Sequence, residues 1–207
     1  MENIYYSTSA EAHLERAKAR LTEETKESLF YSAFELRCGV EARFREYLEF
    51  QDHVSRSKRE EWSLNKLSKT VEETFCLGNQ VAKFTIYDAE FKSVIKVLYY
   101  TPVTSELRNK AERLGYYLHS LRNQETEEAG WWDKFRRELD DIVEGLSQAL
   151  AGTLLGAPLL DTNGRLCMPM GLRSDDSLLE KVKKGTVVNF NVEYLTDYPQ
   201  ELLAVKI

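Results

Sequence analysis

Apolar residues along this chain recur mostly three and four positions apart, the spacing of one face of an α-helix. The first such seam is Ala10, Leu14, Ala17 and Leu21. Ser7, Thr8 and Ser9 precede it as capping residues, and Glu11 lies near the positive end of the helix dipole. Thr22, or alternatively Thr25, reads as the cap of a second, long helix running to about Phe50. There Leu29, Ala33, Leu36, Val40, Phe44 and Tyr47 share one arc, which Phe30, Phe34 and Leu48 widen. Arg37 and Glu41 fall inside this arc, one turn apart. Either they bridge each other at the edge of the core, or each has a specific partner or job.

Ser57 or Ser63 starts a third helix, with Leu64, Leu67, Val71 and Phe75 on its buried side and Gly78-Asn79 at its end. Residues 81–103 are ambiguous. Val81 to Tyr87 alternates like a strand, whereas Phe91, Val94, Ile95 and Leu98 recur at helical spacing, so the expectation is a short extended piece and then a helix stopped before Pro102. Thr104 or Ser105 caps the next helix, with the seam Leu107, Ala111, Leu114, Leu118, Leu121. A last helix buries Trp132, Phe135, Leu139, Ile142 or Val143, Leu146 and Leu150. From Pro158 the texture changes: Asn163-Gly164 signals a hairpin between residues 159 and 168, and 186–194 and 202–207 read as strands, with 174–184 a short helix between. The expected architecture is mainly α, a bundle of about five helices over residues 1–157, with a small β-rich C-terminal subdomain over 158–207.

Composition narrows the classes. The chain has 207 residues, 43% of them apolar, enough for one domain-sized core with an appendage. No stretch reaches the ~18 apolar residues of a membrane span, and the first six residues lack a signal peptide's basic and apolar regions. Three widely spaced cysteines suit free thiols in a reducing compartment, so a cytoplasmic location is expected. No Cys/His spacing suggests zinc, and neither a metal nor a cofactor is expected. With a net charge of -6, a generally basic nucleic-acid-coating surface is excluded. A local group, Arg56, Lys58, Arg59, Lys66 and Lys69, is diluted by Glu60 and Glu61 and reads as a solvated face.

Candidate chemistry is sparse. There is no Gly-rich phosphate loop, no His-Glu-x-x-His, no Gly-x-Ser-x-Gly and no kinase signature. Of the three histidines, His13 sits off the apolar seam of the first helix and His53 in a polar helix end, both positions expected to be solvated. His119 differs. On a continuous helix it shares a face with Arg108, Glu112, Gly115 and Arg122, and Gly115 leaves a gap in front of it. A neutral imidazole beside guanidinium groups suits a phosphate ester: the histidine exchanges protons and the arginines stabilise phosphoryl oxygens. The competing reading is a surface histidine with charged neighbours.

Arg113-Leu114-Gly115-Tyr116-Tyr117-Leu118-His119 has the form Arg-x5-His, within the Arg-x4-6-His motif of HEPN domains. The run from Tyr31 to Phe44, with Arg37 and Glu41 among apolar residues, resembles the second helix of such domains. The resemblance covers about residues 8–152 and leaves the β-rich tail unexplained. It implies a helical bundle that often dimerises, many members being metal-independent endoribonucleases of toxin or antiviral-defence systems. In those members the motif's Arg and His meet their copies across a homodimer interface, and the 2′-hydroxyl of RNA attacks the adjacent phosphate. By motif position Arg113 and His119 are the expected catalytic pair, and Arg108, Arg122, Arg37 and Glu41 are the candidate substrate-binding residues. The alternative function is a non-catalytic dimerisation or interaction module whose β tail offers a sheet edge to a protein partner.

Overall fold

Ser9 accepts a hydrogen bond from the Ala12 amide and starts α1 (Ala10–Leu21). Thr25, not Thr22, caps α2 (Lys26–Glu49): Thr25 and Ser28 form a reciprocal capping box. Thr22 is needed instead at the end of α1, where its hydroxyl donates to the Ala19 carbonyl. The computed structural model describes residues 6–88, 90, 92–118, 130–167, 170–171 and 189–203. Its further helices are α3 (Arg56–Arg59), α4 (Leu64–Phe75), α5 (Ser105–Leu118), α6 (Trp131–Ala151) and α7 (Gln200–Leu203).

α2 is the central element, packed against α1, α3, α4, α5 and α6. Its predicted seam from Leu29 to Tyr47 is buried throughout, whereas Phe34 lies half exposed on the outer side. Each fully buried Leu or Phe of this kind contributes roughly 1.5–3 kcal/mol. The helices approach closely at Gly39, where a Cβ would stand 2.8 Å from Leu146 Cδ2 and 3.2 Å from His13 Cβ.

Residues 81–103 depart from expectation. They form an antiparallel hairpin of β1 (Val81–Tyr87) and β2 (Val94–Tyr100), so the helix expected after Phe91 is a strand. Spacing alone could not decide, and the β-branched and aromatic run Val94, Ile95, Val97, Tyr99, Tyr100 favours the pleated form. Asp88 fastens the turn by accepting from the Lys92 amide and the Ser93 hydroxyl.

β3 (Asn189–Leu195) pairs antiparallel with β1, giving the order β2-β1-β3. The sheet is therefore not confined to the C-terminal part: mainly helical architecture holds, but two of these three strands lie at 81–100. The hairpin signalled by Asn163-Gly164 is a tight turn, with Gly164 at φ 73°, closed by a single Leu160–Leu166 bridge. Where a strand was expected from Leu202, residues 200–203 make a helical turn; 204–207, like 174–184 and 186–188, lie outside the described residues.

Sheet and helices share one core. Phe84 and Ile86 of β1 and Leu98 and Tyr100 of β2 face the bundle, with the Tyr100 ring packed at steep angles against Tyr47 and Phe75. A buried polar network crosses the same seam. The Ala149 carbonyl in the last turn of α6, which carries no basic residue, accepts from Arg43 Nε (3.1 Å) and Thr101 Oγ1 (2.9 Å). Arg43 thus caps another helix's negative end from inside the core. It also pairs with Glu46 and lies over the Tyr47 ring, while the Tyr47 hydroxyl donates to the Thr101 carbonyl. Among the described residues, no helix is long and apolar enough to cross a membrane.

Candidate functional site

On α5 the expected residues point to different neighbours. Arg113 donates through Nε and Nη2 to one oxygen of Glu138 on α6, at 3.0 and 2.8 Å, and the Tyr117 hydroxyl donates to the other oxygen at 2.9 Å. Burial, and then the Glu138 contact, push the Tyr117 phenol up to about 12. Arg113 Nη1 has no partner among the described residues, and its guanidinium is half exposed.

Arg108 turns instead towards α4, with Nη1 3.4 Å from the Ser68 hydroxyl, and Glu112 accepts from Asn65 of that helix. Five residues carry a side chain about 140° around a helix, so Arg108 and Arg113 occupy separate sides of α5. His119 and Arg122 lie outside the described residues.

Arg37 and Glu41 do not bridge each other. Glu41 pairs with Arg45 at 2.7 Å, the orientation with the acid one turn N-terminal to the base, which is the better one on a helix. Arg37 reaches across to α5, where Nη1 is 3.4 Å from the Ala111 carbonyl. The same nitrogen is the nearest atom, at 3.8 Å, to where a Gly115 Cβ would be. The gap foreseen at Gly115 thus has a guanidinium from α2 beside it.

A second cluster was not foreseen. His13, expected to be solvated, is buried at 7% exposure because Gly39 lets α2 close onto α1. Its Nδ1 is 2.6 Å from Glu35 Oε2, to which Arg16 Nε also donates at 3.0 Å. Burial by itself pushes the Glu35 carboxyl up, but hydrogen bonds from Arg16 and His13 outweigh it and leave the group below its usual value. The sequence signal was slight: His13 stands only about 40° from Ala17 around the helix, so it flanks the seam rather than opposing it.

A cleft of about 900 Å³ opens beside this cluster, its walls including His13, Phe34, Cys38, Glu41, Arg45 and Glu49. Burial raises the Glu41 carboxyl above its usual value, against the pull of Arg45, Arg37 and His13. The neighbouring basic group is neutralised locally. Arg56 pairs with Glu60, Lys66 with Glu61, and Lys58 and Lys69 with Glu73. Among the described residues, no group of three or more His, Cys, Asp or Glu is placed to hold a metal ion.

The lowered Glu35 group gives a pH test. A carboxyl whose folded pKa is depressed contributes stability above its unfolded value and loses it as pH falls through the folded one. Stability from Glu35 is therefore expected to be complete above pH 4.5, its reference value, and to fade below it. Urea midpoints measured down the acid limb should fall less steeply for Glu35→Gln than for the wild type. Parallel limbs would show that the cluster does not hold Glu35 ionised.

No family model, curated protein or solved structure matches the chain.

Proposed function

We propose that the chain is a HEPN-like helical domain that acts on RNA as a homodimer within a toxin or antiviral-defence system. The observation carrying this reading is the Arg37 guanidinium on α2 lying against Gly115, one turn before the histidine of the Arg-x5-His motif. α2 thereby brings a cationic donor to the Gly115 side of α5, the side on which a continuous helix would also carry His119. Arg113 supports it with an uncommitted Nη1, half exposed, on a side chain whose direction Glu138 sets.

In this reading His119 takes the proton of a ribose 2′-hydroxyl and the arginines stabilise charge on the phosphate under attack. DNA, lacking that hydroxyl, is not cleaved. Arg108 and Arg122 add phosphate contacts, and Glu41 keeps Arg45 in place.

The test is RNA cleavage in EDTA. Wild type is expected to produce 2′,3′-cyclic phosphate ends, and His119→Ala to lose about 10²–10⁴-fold in rate with an unchanged thermal melt. No cleavage by either protein, together with a shifted melt for the variant, would make His119 structural.

A second reading rests on Glu138, which neutralises Arg113 in the manner of a purely structural ion pair. Here the chain is a non-catalytic interaction module, and the outer edge of β3 receives a partner strand. Light scattering tests the first reading, because a strict monomer has no composite nuclease site, and RNA cleavage separates the two.

A further inference from the structure

Trp62 and Tyr116 are the two most exposed large apolar side chains among the described residues, at 71% and 63%. Their ring faces are also bare. Tyr6 and Tyr31, nearly as exposed, each lie under a guanidinium, that of Arg16 and of Arg20. Trp62 and Tyr116 have no ring or cation against them, and the indole and phenol make no hydrogen bond, among the described residues. Trp62 is nonetheless held in place. Glu61 Oε1 accepts from the Trp62 amide at 3.0 Å and the Ser63 amide at 3.2 Å, while Arg45 Nη2 donates to the Glu61 carbonyl at 3.2 Å. The loop before α4 is pinned through its backbone, with the indole left outside.

The two rings belong to one shoulder of the bundle. Arg108 meets Ser68 and, one turn later, Glu112 meets Asn65, so α4 and α5 run antiparallel. A further turn of α5 reaches Tyr116, level with the residues just before α4, Glu61 and Trp62. Gly115 beside Tyr116 adds no side chain of its own, and Arg37 Nη1 lies against it.

Charge on this shoulder is unevenly spent. The acids are engaged: Glu61 by two amides and Lys66, Glu112 by Asn65. Two guanidiniums are not neutralised. Arg37 donates to the Ala111 carbonyl at 3.4 Å, and Arg108 to Ser68 and Asn109; neither has a carboxylate partner among the described residues. Bare rings beside such guanidiniums suit a ligand that alternates flat apolar faces with negative charge, which is the chemistry of a single-stranded nucleic acid. A protein partner would call for an apolar core around the rings, whereas Asn65, Lys66, Ser68 and Glu112 make the surroundings polar.

We propose that this shoulder is a stacking platform for single-stranded RNA, with one base on Trp62, another on Tyr116, and Arg37 and Arg108 on the phosphates. In naming RNA it rests on the reading above, but binding and cleavage can fail separately.

The test is fluorescence anisotropy of the full chain with a labelled 2′-O-methyl oligoadenylate of ~8 nucleotides. The methyl group blocks the internal nucleophile, so binding is read without cleavage. Wild type is expected to bind this strand in a salt-dependent way, and an abasic sugar–phosphate strand of equal length at least about tenfold more weakly. Trp62→Ala and Tyr116→Ala should each weaken the oligoadenylate about fivefold or more, with unchanged thermal melts because both rings already face solvent. Arg108→Gln should lower the slope of log affinity against log salt by about 0.7, the share of one phosphate. The platform is ruled out if wild type does not bind the probe, if the abasic strand binds as well, or if both ring variants bind like wild type. It is ruled out too if Trp62→Ala turns a dimer into a monomer while wild type ignores the oligonucleotide, since the rings would then join two copies. Binding with the expected losses, but without cleavage of ordinary RNA, leaves the platform standing and removes only the nuclease reading.

Discussion

Gly152→Ala is expected to destabilise the protein by about 3 kcal/mol or more, at or beyond the upper end of ordinary overpacking. Gly152 has an ordinary φ of -73°, so backbone strain is not the reason. The reason is proximity. An added Cβ would lie 2.5 Å from Thr101 Oγ1, 2.7 Å from the Tyr99 carbonyl and 2.9 Å from the Thr101 amide. Two of these atoms belong to the backbone at the end of β2, which the sheet and the core hold. The Gly152 amide donates to Thr101 Oγ1, and the Leu154 amide to Tyr99, so neither side can withdraw without losing hydrogen bonds. In a chain this long, that loss lowers the melting temperature by roughly 6–12 °C. Gly115→Ala is the control. Its Cβ would meet only Arg37 Nη1 at 3.8 Å, and the helix gains up to ~1 kcal/mol in propensity. Equal melts for the two variants would overturn this account of the α6–β2 junction.

The second large effect is expected at Arg43, which has no exposed surface. Arg43→Ala deletes the bond to the Ala149 carbonyl, the pair with Glu46 and the contact with Tyr47, and leaves a void; together these are expected to cost about 3–5 kcal/mol. Arg43→Met should cost markedly less. Methionine refills most of the space, Thr101 still serves the Ala149 carbonyl, and Glu46 still accepts from the Ala10 amide. The native network is itself imperfect, since Arg43 Nη2 is buried without a hydrogen-bond partner among the described residues. Urea unfolding of both variants separates the contributions. An alanine variant within about 1 kcal/mol of wild type would show that the guanidinium does not hold the helix end.

What could be read from the chain depended on how local the determining physics was. The α2 seam was legible because one helix packed on five others needs a wide, regular apolar stripe, and the Ser9 and Thr25 caps act within three residues. Residues 91–101 were misread because Phe91, Val94, Ile95 and Leu98 satisfy helical spacing, while the strand is decided by pairing with β1. The β1–β3 ladder joins segments about a hundred residues apart, and alternation within a strand says nothing about its partner. The site was less legible still. Glu138 and Glu35 resemble any wet-face carboxylate until another helix brings Arg113 or His13 against them. The reversed acid–base order of Arg37 and Glu41 was, however, a local clue that they would part, and they do.

The place of β1 between two strands has a bearing on synthesis. Its first neighbour, β2, follows within a few residues, but Leu195 at the end of β3 leaves the ribosome 108 residues after Tyr87 (195 − 87). At ~5–20 residues per second, β1 spends roughly 5–20 s with one row of amides and carbonyls unanswered. The central strand of the finished sheet is thus, until β3 arrives, a sticky edge of the nascent chain. Chaperone capture and inter-chain mispairing would concentrate there.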